Sequence, residues 1–481
     1  MASNTSKVAS NTAYQLAGRL VSAIETLIVA YVLTRALGPS KFGQLTIIIT
    51  FITTFFVMAD FGINTIVVRQ WSLERLRLRK ELSELLVLRF LLSLILGFVA
   101  LGVVYVLSLF SPQYNEIVIW GVGIGILLII GQGFYFSATA VFQTLFSYQR
   151  AFWANLWGNI IALILVLGAL YFWGAGVLPV YVAIVVGGFI PSFLALYYIR
   201  QYIDIKYLRI NFGYFKKLLG ASLPTGLGLI LNTLLASTDR FLLSILSTTF
   251  SLGLYGLAYR VFENILVLPN FLLNASFPIL VRHQATSPHK LNGSVQKLFD
   301  SLSLITFPLV IGGAILAPIF INILGGGDFE SAASALTLLF LGLVFYFFSP
   351  LFRWLVIIAK KERLLPLIYG LGLTINVGLN LYLIPKWDIL GAAVTNAFSE
   401  LIILAVCAFI SVKFLKLRLN FKMFLASLVA ALVMAPFVLL FKDWYVVGPV
   451  ILGGIAYFLA LFALTRGKIV DILPAPIRRF F

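Results

Sequence analysis

Apolar residues run along the chain in long blocks, each close to the ~20 residues a helix needs to cross the hydrocarbon core of a bilayer, with short polar connections between them. Fourteen blocks predict fourteen spans: residues 12–35, 42–68, 85–110, 117–142, 152–173, 177–199, 218–247, 253–280, 299–324, 332–358, 364–384, 389–412, 423–441 and 446–465. Several spans are interrupted by polar residues at helical intervals, so each of those helices is expected to carry one polar face.

Spans 7 and 8, from Thr225 to Pro278 with a turn near Thr248 to Leu252, hold Asp239, Arg240, Arg260 and Glu263 inside their apolar runs. An ionised side chain at the centre of a bilayer helix costs about 2.5–3.5 kcal/mol, so these groups need a wet cavity or one another. Thr225, Asn232 and Asp239 recur at seven-residue intervals on one face of span 7. Glu263, Asn270 and Asn274 share a face of span 8, with Arg260 one turn behind Glu263. Span 1 repeats the pattern with Asn11, Gln15, Ser22 and Glu25, and Arg19 lies one turn from both Gln15 and Ser22. Span 2 keeps Thr46, Thr50, Thr53, Asp60 and Asn64 to one face. Contacts between helices in lipid account for the threonines but not for Arg19, Glu25 or Asp60. A buried ion pair or interhelical hydrogen bonding accounts for any single residue; a lined pathway accounts for the stripes together.

Composition narrows the class. A chain of 481 residues that is 61% hydrophobic and 11% charged, with a mean hydropathy of +1.04, is expected to be an all-α polytopic membrane protein. A single cysteine, Cys407, excludes an internal disulfide, and with only His283 and His289 beside it a zinc or iron–sulfur site is not expected. The connections leave no room for a soluble catalytic or nucleotide-binding domain, and no GxxxxGK[ST] occurs. The chain therefore reads as no enzyme, with no cofactor and with ATP not its energy source. The polar start MASNTSKVASN and the long first apolar segment predict no cleaved leader.

A net charge of +18 would suggest a nucleic-acid partner in a soluble protein, but here the basic residues sort by loop. Of the 35 Lys and Arg, only Arg35, Lys41, Lys386 and Lys442 fall in loops opposite the N-terminal side, while Arg19, Arg89, Arg240, Arg260 and Arg353 fall within spans. The positive-inside rule then predicts a multi-pass protein of the plasma membrane with both termini cytoplasmic, and no nucleic acid. The longest connection, RQWSLERLRLRKELSE from Arg69, predicts a basic helix lying on the cytoplasmic surface.

An offset of about 210 residues aligns LGPSKFGQL near Gly43 with TTFSLGLYG near Gly253. The expected organisation is an N-terminal lobe of spans 1–6 (residues 1–205), a C-terminal lobe of spans 7–12 (213–415), appended spans 13 and 14 (420–468) and a cytoplasmic tail (469–481), with cargo bound between the repeats. Pro224, Pro269, Pro278, Pro308, Pro318, Pro350 and Pro366 make spans 8–10 candidates either for bending or for static kinks. Asn376, Asn380, Asn396 and Glu400 of spans 11 and 12 would line a cavity or bind neighbouring helices.

The chain resembles the polysaccharide-biosynthesis flippases of the multidrug/oligosaccharidyl-lipid/polysaccharide exporter superfamily. The likeness rests on TRALGPSKFGQ, DFGINTIVVRQ, STDRFLLS, LGLYGLAYRVFEN, FPIL, and INVGLNLYLIP followed by LGAAVTNAFSE, in that order. It implies fourteen helices in two lobes around a central cavity, and transfer of polyprenyl-(di)phosphate-linked oligosaccharide from the cytoplasmic to the outer leaflet by alternating access. By resemblance to the lipid II flippases, whose arginines of helices 1 and 8 face the cavity, Arg19 and Arg260 are the candidate phosphate ligands. Gln15, Ser22, Asn232, Asn270 and Asn274, with Tyr14, Tyr255 and Tyr259, are candidates to hold sugar hydroxyls. Membrane potential is one driving force. The other is H+ or Na+ bound at Glu25, Asp60, Asp239 or Glu263. Expected partners are thus a lipid-linked oligosaccharide, membrane lipid and a coupling ion, with the chain a monomer. Two alternatives stay open: a multidrug or small-cation antiporter of the same superfamily, whose acidic residues would contact cargo, and a membrane-embedded glycosyltransferase.

Overall fold

The computed structural model describes residues 2–442, 444 and 447–465, apart from the side chains of residues 2–13, 16, 75, 271, 275, 278 and 288. The expected tail 469–481, Arg466, Lys468 and the side chains of Lys7 and Asn11 lie outside the described residues. In chain order the helices are α1 (Ala2–Asp60), α2 (Ile63–Leu73), α3 (Leu78–Ser108), α4 (Glu116–Thr144), α5 (Tyr148–Trp173), α6 (Val177–Ile199), α7 (Phe212–Leu246), α8 (Thr249–Ile265), α9 (Val267–Thr286), α10 (Pro288–Gly325), α11 (Ala332–Ile358), α12 (Leu365–Leu415), α13 (Lys422–Leu440) and α14 (Val447–Thr465). Among the described residues there is no strand. The protein is an all-helical, multi-pass membrane protein.

Among the described residues, twelve helical runs are long and apolar enough to cross a membrane, where the hydrophobic pattern predicts fourteen spans. Every run coincides with expected spans. Two, Ala17–Leu73 and Glu362–Leu415, are of double length and take in spans 1 with 2 and 11 with 12. Each is two helices joined across a tight turn. In α1 the chain turns at Gly38 (φ 68°, ψ 173°), a conformation open to glycine alone, and Pro39 starts the next helix with its fixed φ. In α12 the turn falls at Asp388 (φ 48°, ψ −124°). Close to it, a Cβ on Gly391 would lie 2.4 Å from the Leu383 carbonyl oxygen.

The backbone divides into two units, Met1–Gly256 and Leu257–Phe481. In the first, α1 packs against α4, α5 and α7, and α2 against α4 and α7. The aligned glycines meet at one crossing. A Cβ on Gly43 would stand 1.8 Å from the Thr249 carbonyl oxygen, and one on Gly253 would stand 2.0 Å from the Pro39 carbonyl oxygen. Only hydrogen fits at either position, which is how small residues let helices in lipid approach backbone to backbone. Thr248 caps α8, its Oγ1 accepting from the Ser251 N–H at 3.1 Å.

The segment from Arg69 to Glu84, expected as a separate surface helix, is instead the end of α2, a 3-10 turn at Arg75–Arg77 and the start of α3. Buried Trp71, Leu78, Leu82 and Leu85 carry it into a core cluster with α4 and α7. That apolar anchoring defeats a flat surface placement. Nearby, Asn211 Nδ2 donates to buried Glu84 at 2.9 Å. In the connection before α4, Tyr114 is buried with its hydroxyl 2.5 Å from Ser244 Oγ, and burial pushes its phenol up to about 12.

In the second unit the prolines are accommodated by neighbours. Pro269 has no N–H to donate to Ile265, and the expected span 8 is divided there into α8 and α9 at Leu266. Pro308 and Pro318 stay inside α10, where each frees the carbonyl four residues before it. The Leu304 oxygen accepts from Tyr457 of α14 at 2.8 Å, and the Ala314 oxygen accepts from Thr337 of α11 at 3.3 Å. The first bond docks α14 on α10 beside Phe307, Met434 and Leu461.

Candidate functional site

The first part of α1 presents two open faces. Gln15 and Arg19 are exposed, and Ser22 and Glu25 half-exposed, along one side. Leu20 and Ile24, 59% and 60% exposed, lie with Ile28 on the opposite side, since successive residues step by about 100° around a helix. A helix that is open and polar on one side, open and apolar on the other, is suited to stand between water and lipid. Ser22 is also tied to α5, its Oγ accepting from Asn159 Nδ2 at 3.5 Å, and Tyr14 packs on Phe152 with ring centroids 5.7 Å apart. The side of α1 that carries Arg19 is thus also tied to α5, through Ser22.

Asp60 is held differently. The DFGIN segment ends α1 by two successive residues of positive φ, Phe61 (46°) and Gly62 (68°). Ending the helix leaves the Ala59 carbonyl without an intrahelical donor, and Arg89 of α3 fills that role. Its Nη1 donates to Ala59 O at 3.1 Å. Its Nη2 donates to Asp60 Oδ1 at 2.6 Å and to Asn64 Oδ1 at 3.0 Å. The guanidinium lies 5.9 Å from the Phe136 ring centroid. Arg89 is completely buried, so its charge is neutralised by a partner only 16% exposed at the side chain.

On α7 the stripe of Thr225, Asn232 and Asp239 grades from exposed through half-exposed to buried. Asp239 is wholly buried and accepts from the Tyr255 hydroxyl at 3.3 Å. Adjacent Ser237 is bonded to Thr54 Oγ1 at 3.0 Å, tying α7 to α1. Arg240 Nη2 donates to the Ala236 carbonyl at 3.1 Å.

In the second unit, Arg260 is half-exposed, and Glu263, Asn270 and Asn274 are exposed. The break at Leu266 separates Arg260 and Glu263 on α8 from the two asparagines on α9. Asn270 Nδ2 donates to the Leu266 carbonyl at 3.0 Å, inside that break. Asn376, Asn380, Asn396 and Glu400 of α12 are instead buried and form a network between helices. Asn380 donates to Asn376 at 2.8 Å, Asn376 to Ser399 at 3.2 Å, and Tyr346 of α11 to Asn396 at 2.7 Å. Glu400 pairs with Arg353 of α11, whose guanidinium lies 5.4 Å from the Tyr369 ring centroid.

Within the first unit, then, the arrangement gathers Gln15, Arg19, Ser22 and Glu25 on one face, and gives Asp60 and Asp239 separate partners on other helices. Sequence reading identified Arg89 and Arg353 as intramembrane cations but gave them no partners. The partners lie on other helices, where intrahelical spacing carries no signal. Among the described residues no three or more His, Cys, Asp or Glu side chains gather so as to hold a metal ion.

A family model described as polysaccharide biosynthesis protein matches residues 8–284. Over 113 residues the chain is 34% identical to the Uncharacterized membrane protein MJ1068 of Methanocaldococcus jannaschii, a stretch covering 23% of this chain and 22% of that relative's length. In fold it is similar to the lipid II flippase MurJ in an inward closed conformation, with a TM-score of 0.75 and 16% identity over 95% of this chain and 99% of that one. It is also similar to an inward-facing multidrug resistance MATE family transporter of the MOP superfamily, with a TM-score of 0.67 and 15% identity over 83% and 96% of the two chains.

Proposed function

The chain belongs to the polysaccharide biosynthesis protein family, and from that membership we propose that it is a flippase moving polyprenyl-(di)phosphate-linked oligosaccharide from the cytoplasmic to the outer leaflet of the plasma membrane. The observation that carries this reading is the two-sided character of α1, with Arg19 and Gln15 open on one face and Leu20 and Ile24 open on the other. A diphosphate head needs fixed cationic donors while its tail stays in lipid. In this reading Arg19 and Arg260 supply forked hydrogen bonds to phosphate oxygens. Gln15, Ser22, Asn232, Asn270 and Asn274 meet sugar hydroxyls, and residues 1–205 and 213–415 act as the two alternating lobes.

The loop distribution of Lys and Arg supports cytoplasmic termini. Each negative charge carried toward a positive exterior gains about 2.3 kcal/mol per 100 mV. Binding of H+ or Na+ at Glu25, Asp60, Asp239 or Glu263 is the second source of drive.

The test is glycan export in a strain dependent on this protein. Arg19→Ala and Arg260→Ala each lower export sharply at normal membrane abundance, since loss of a charged hydrogen-bond donor costs about 1.5–3 kcal/mol, roughly ten- to hundredfold in affinity. Full export by both variants, with drug efflux lost in Asp239→Asn, would favour the antiporter of the same superfamily.

A further inference from the structure

A groove of about 590 Å³ lies wholly within the first unit, between the end of α1, α3 and α7. This is roughly the size of a small-molecule pocket, but its lining is unusual for one. Met58, Phe61, Leu92, Leu96, Leu223 and Ile230 are among its walls, its one charged side chain is Lys216, and it contains no carboxylate. The neighbouring Lys217 faces a separate pocket that also holds Glu74 and Glu81, so the two lysines differ in their surroundings. Lys216 is exposed one turn from the start of α7. The lining residues of that helix run from Lys216 to Ile230, roughly 21 Å at about 1.5 Å per residue. That exceeds half the hydrocarbon core, about 15 Å.

We propose that this groove holds one acyl chain of an anionic phospholipid, with the lipid phosphate on Lys216. An apolar channel lined at one end by the stem of exposed Lys216, and longer along α7 than half the hydrocarbon core, matches a phosphate-headed chain from one leaflet. A long polyprenyl chain would overrun it. Gly220, one turn beyond Lys216, keeps the channel clear near that end: it is exposed, and a Cβ built on it meets nothing within 4 Å. A bulky residue there fills the groove without displacing protein atoms. Gly228 of the same helix also has nothing within 4 Å but does not line the groove, which makes it the matched control.

The experiment is native mass spectrometry of the full chain in detergent, titrated with phosphatidylglycerol and phosphatidylcholine, with melting temperature recorded for each variant. The wild type retains phosphatidylglycerol in preference to phosphatidylcholine. Lys216→Ala lowers that preference about fivefold, the effect of one basic residue near a membrane surface. Gly220→Trp removes the retained lipid at unchanged melting temperature, while Gly228→Trp leaves it. Equal retention in Gly220→Trp and wild type overturns the proposal. So does displacement of phosphatidylglycerol by added polyprenyl phosphate, which would make the groove a site for the cargo's tail.

Discussion

Arg89 and Asp60, 29 positions apart in sequence, are joined by a 2.6 Å contact between Nη2 and Oδ1. The same guanidinium closes the broken end of α1 through the Ala59 carbonyl. The DFGIN motif is thereby explained as a unit: Phe61 and Gly62 stop the helix, while Asp60 and Asn64 flank the cation that satisfies the stop. Removing one member of a buried pair costs about 3–5 kcal/mol, whereas replacing both by apolar residues is often neutral. Arg89→Ala should therefore lower the melting temperature in detergent sharply, and Arg89→Met with Asp60→Leu should recover most of it. An Asp60→Asn protein with wild-type melting but altered ion dependence of transport would instead assign Asp60 to coupling.

Gly43→Ala and Gly253→Ala should each reduce the yield of monodisperse protein, because the added methyl would overlap a backbone carbonyl that has no rotamer to move away. Gly454→Ala, where nothing lies within 4 Å, is the control. Size-exclusion profiles of the three proteins decide the matter; equal profiles would mean the crossing yields easily.

Tyr457→Phe should loosen α14 specifically. It leaves the Leu304 carbonyl, already deprived of an intrahelical donor by Pro308, without its hydroxyl partner. An unsatisfied buried acceptor costs about 1–3 kcal/mol. Faster hydrogen exchange confined to α14 and the adjoining turn of α10 is the expected reading.

Asp239→Asn keeps the size of the side chain and its bond from Tyr255 while removing the charge. With Asp239 as the coupling group, transport into vesicles should fall at least about tenfold, the low end of what a hydrogen bond to a charged group contributes, and should no longer respond to an imposed proton or sodium gradient. Retained response in the variant would shift the role to another acidic residue or to potential alone.

Much of the fold can be read from the sequence because lipid imposes a length on every crossing, so each helical run falls where an apolar block stands. The two tightest connections were legible too, because Arg35, Gly38, Pro39 and Lys41 in one and Pro385, Lys386 and Asp388 in the other interrupt the apolar blocks where the backbone leaves the helix. The polar faces of α1 and α7 were visible through intrahelical spacing. The grading of the α7 stripe from exposed Thr225 to buried Asp239 was not, since spacing fixes direction around a helix but not how closely neighbours cover it. Asn376 and Glu400 illustrate the same limit, because cavity lining and interhelical bonding place the same residue types at the same intervals.

The meeting of Gly43 with Gly253 is reciprocal. Pro39 stands to Gly43 as Thr249 stands to Gly253, and each glycine abuts the other's partner carbonyl. Such mutual exchange is the signature of an isologous interface, the kind two identical chains make about a twofold axis. The crossing inside the first unit therefore presents the same obstacle from either side, and enlarging one glycine is equivalent in geometry to enlarging the other.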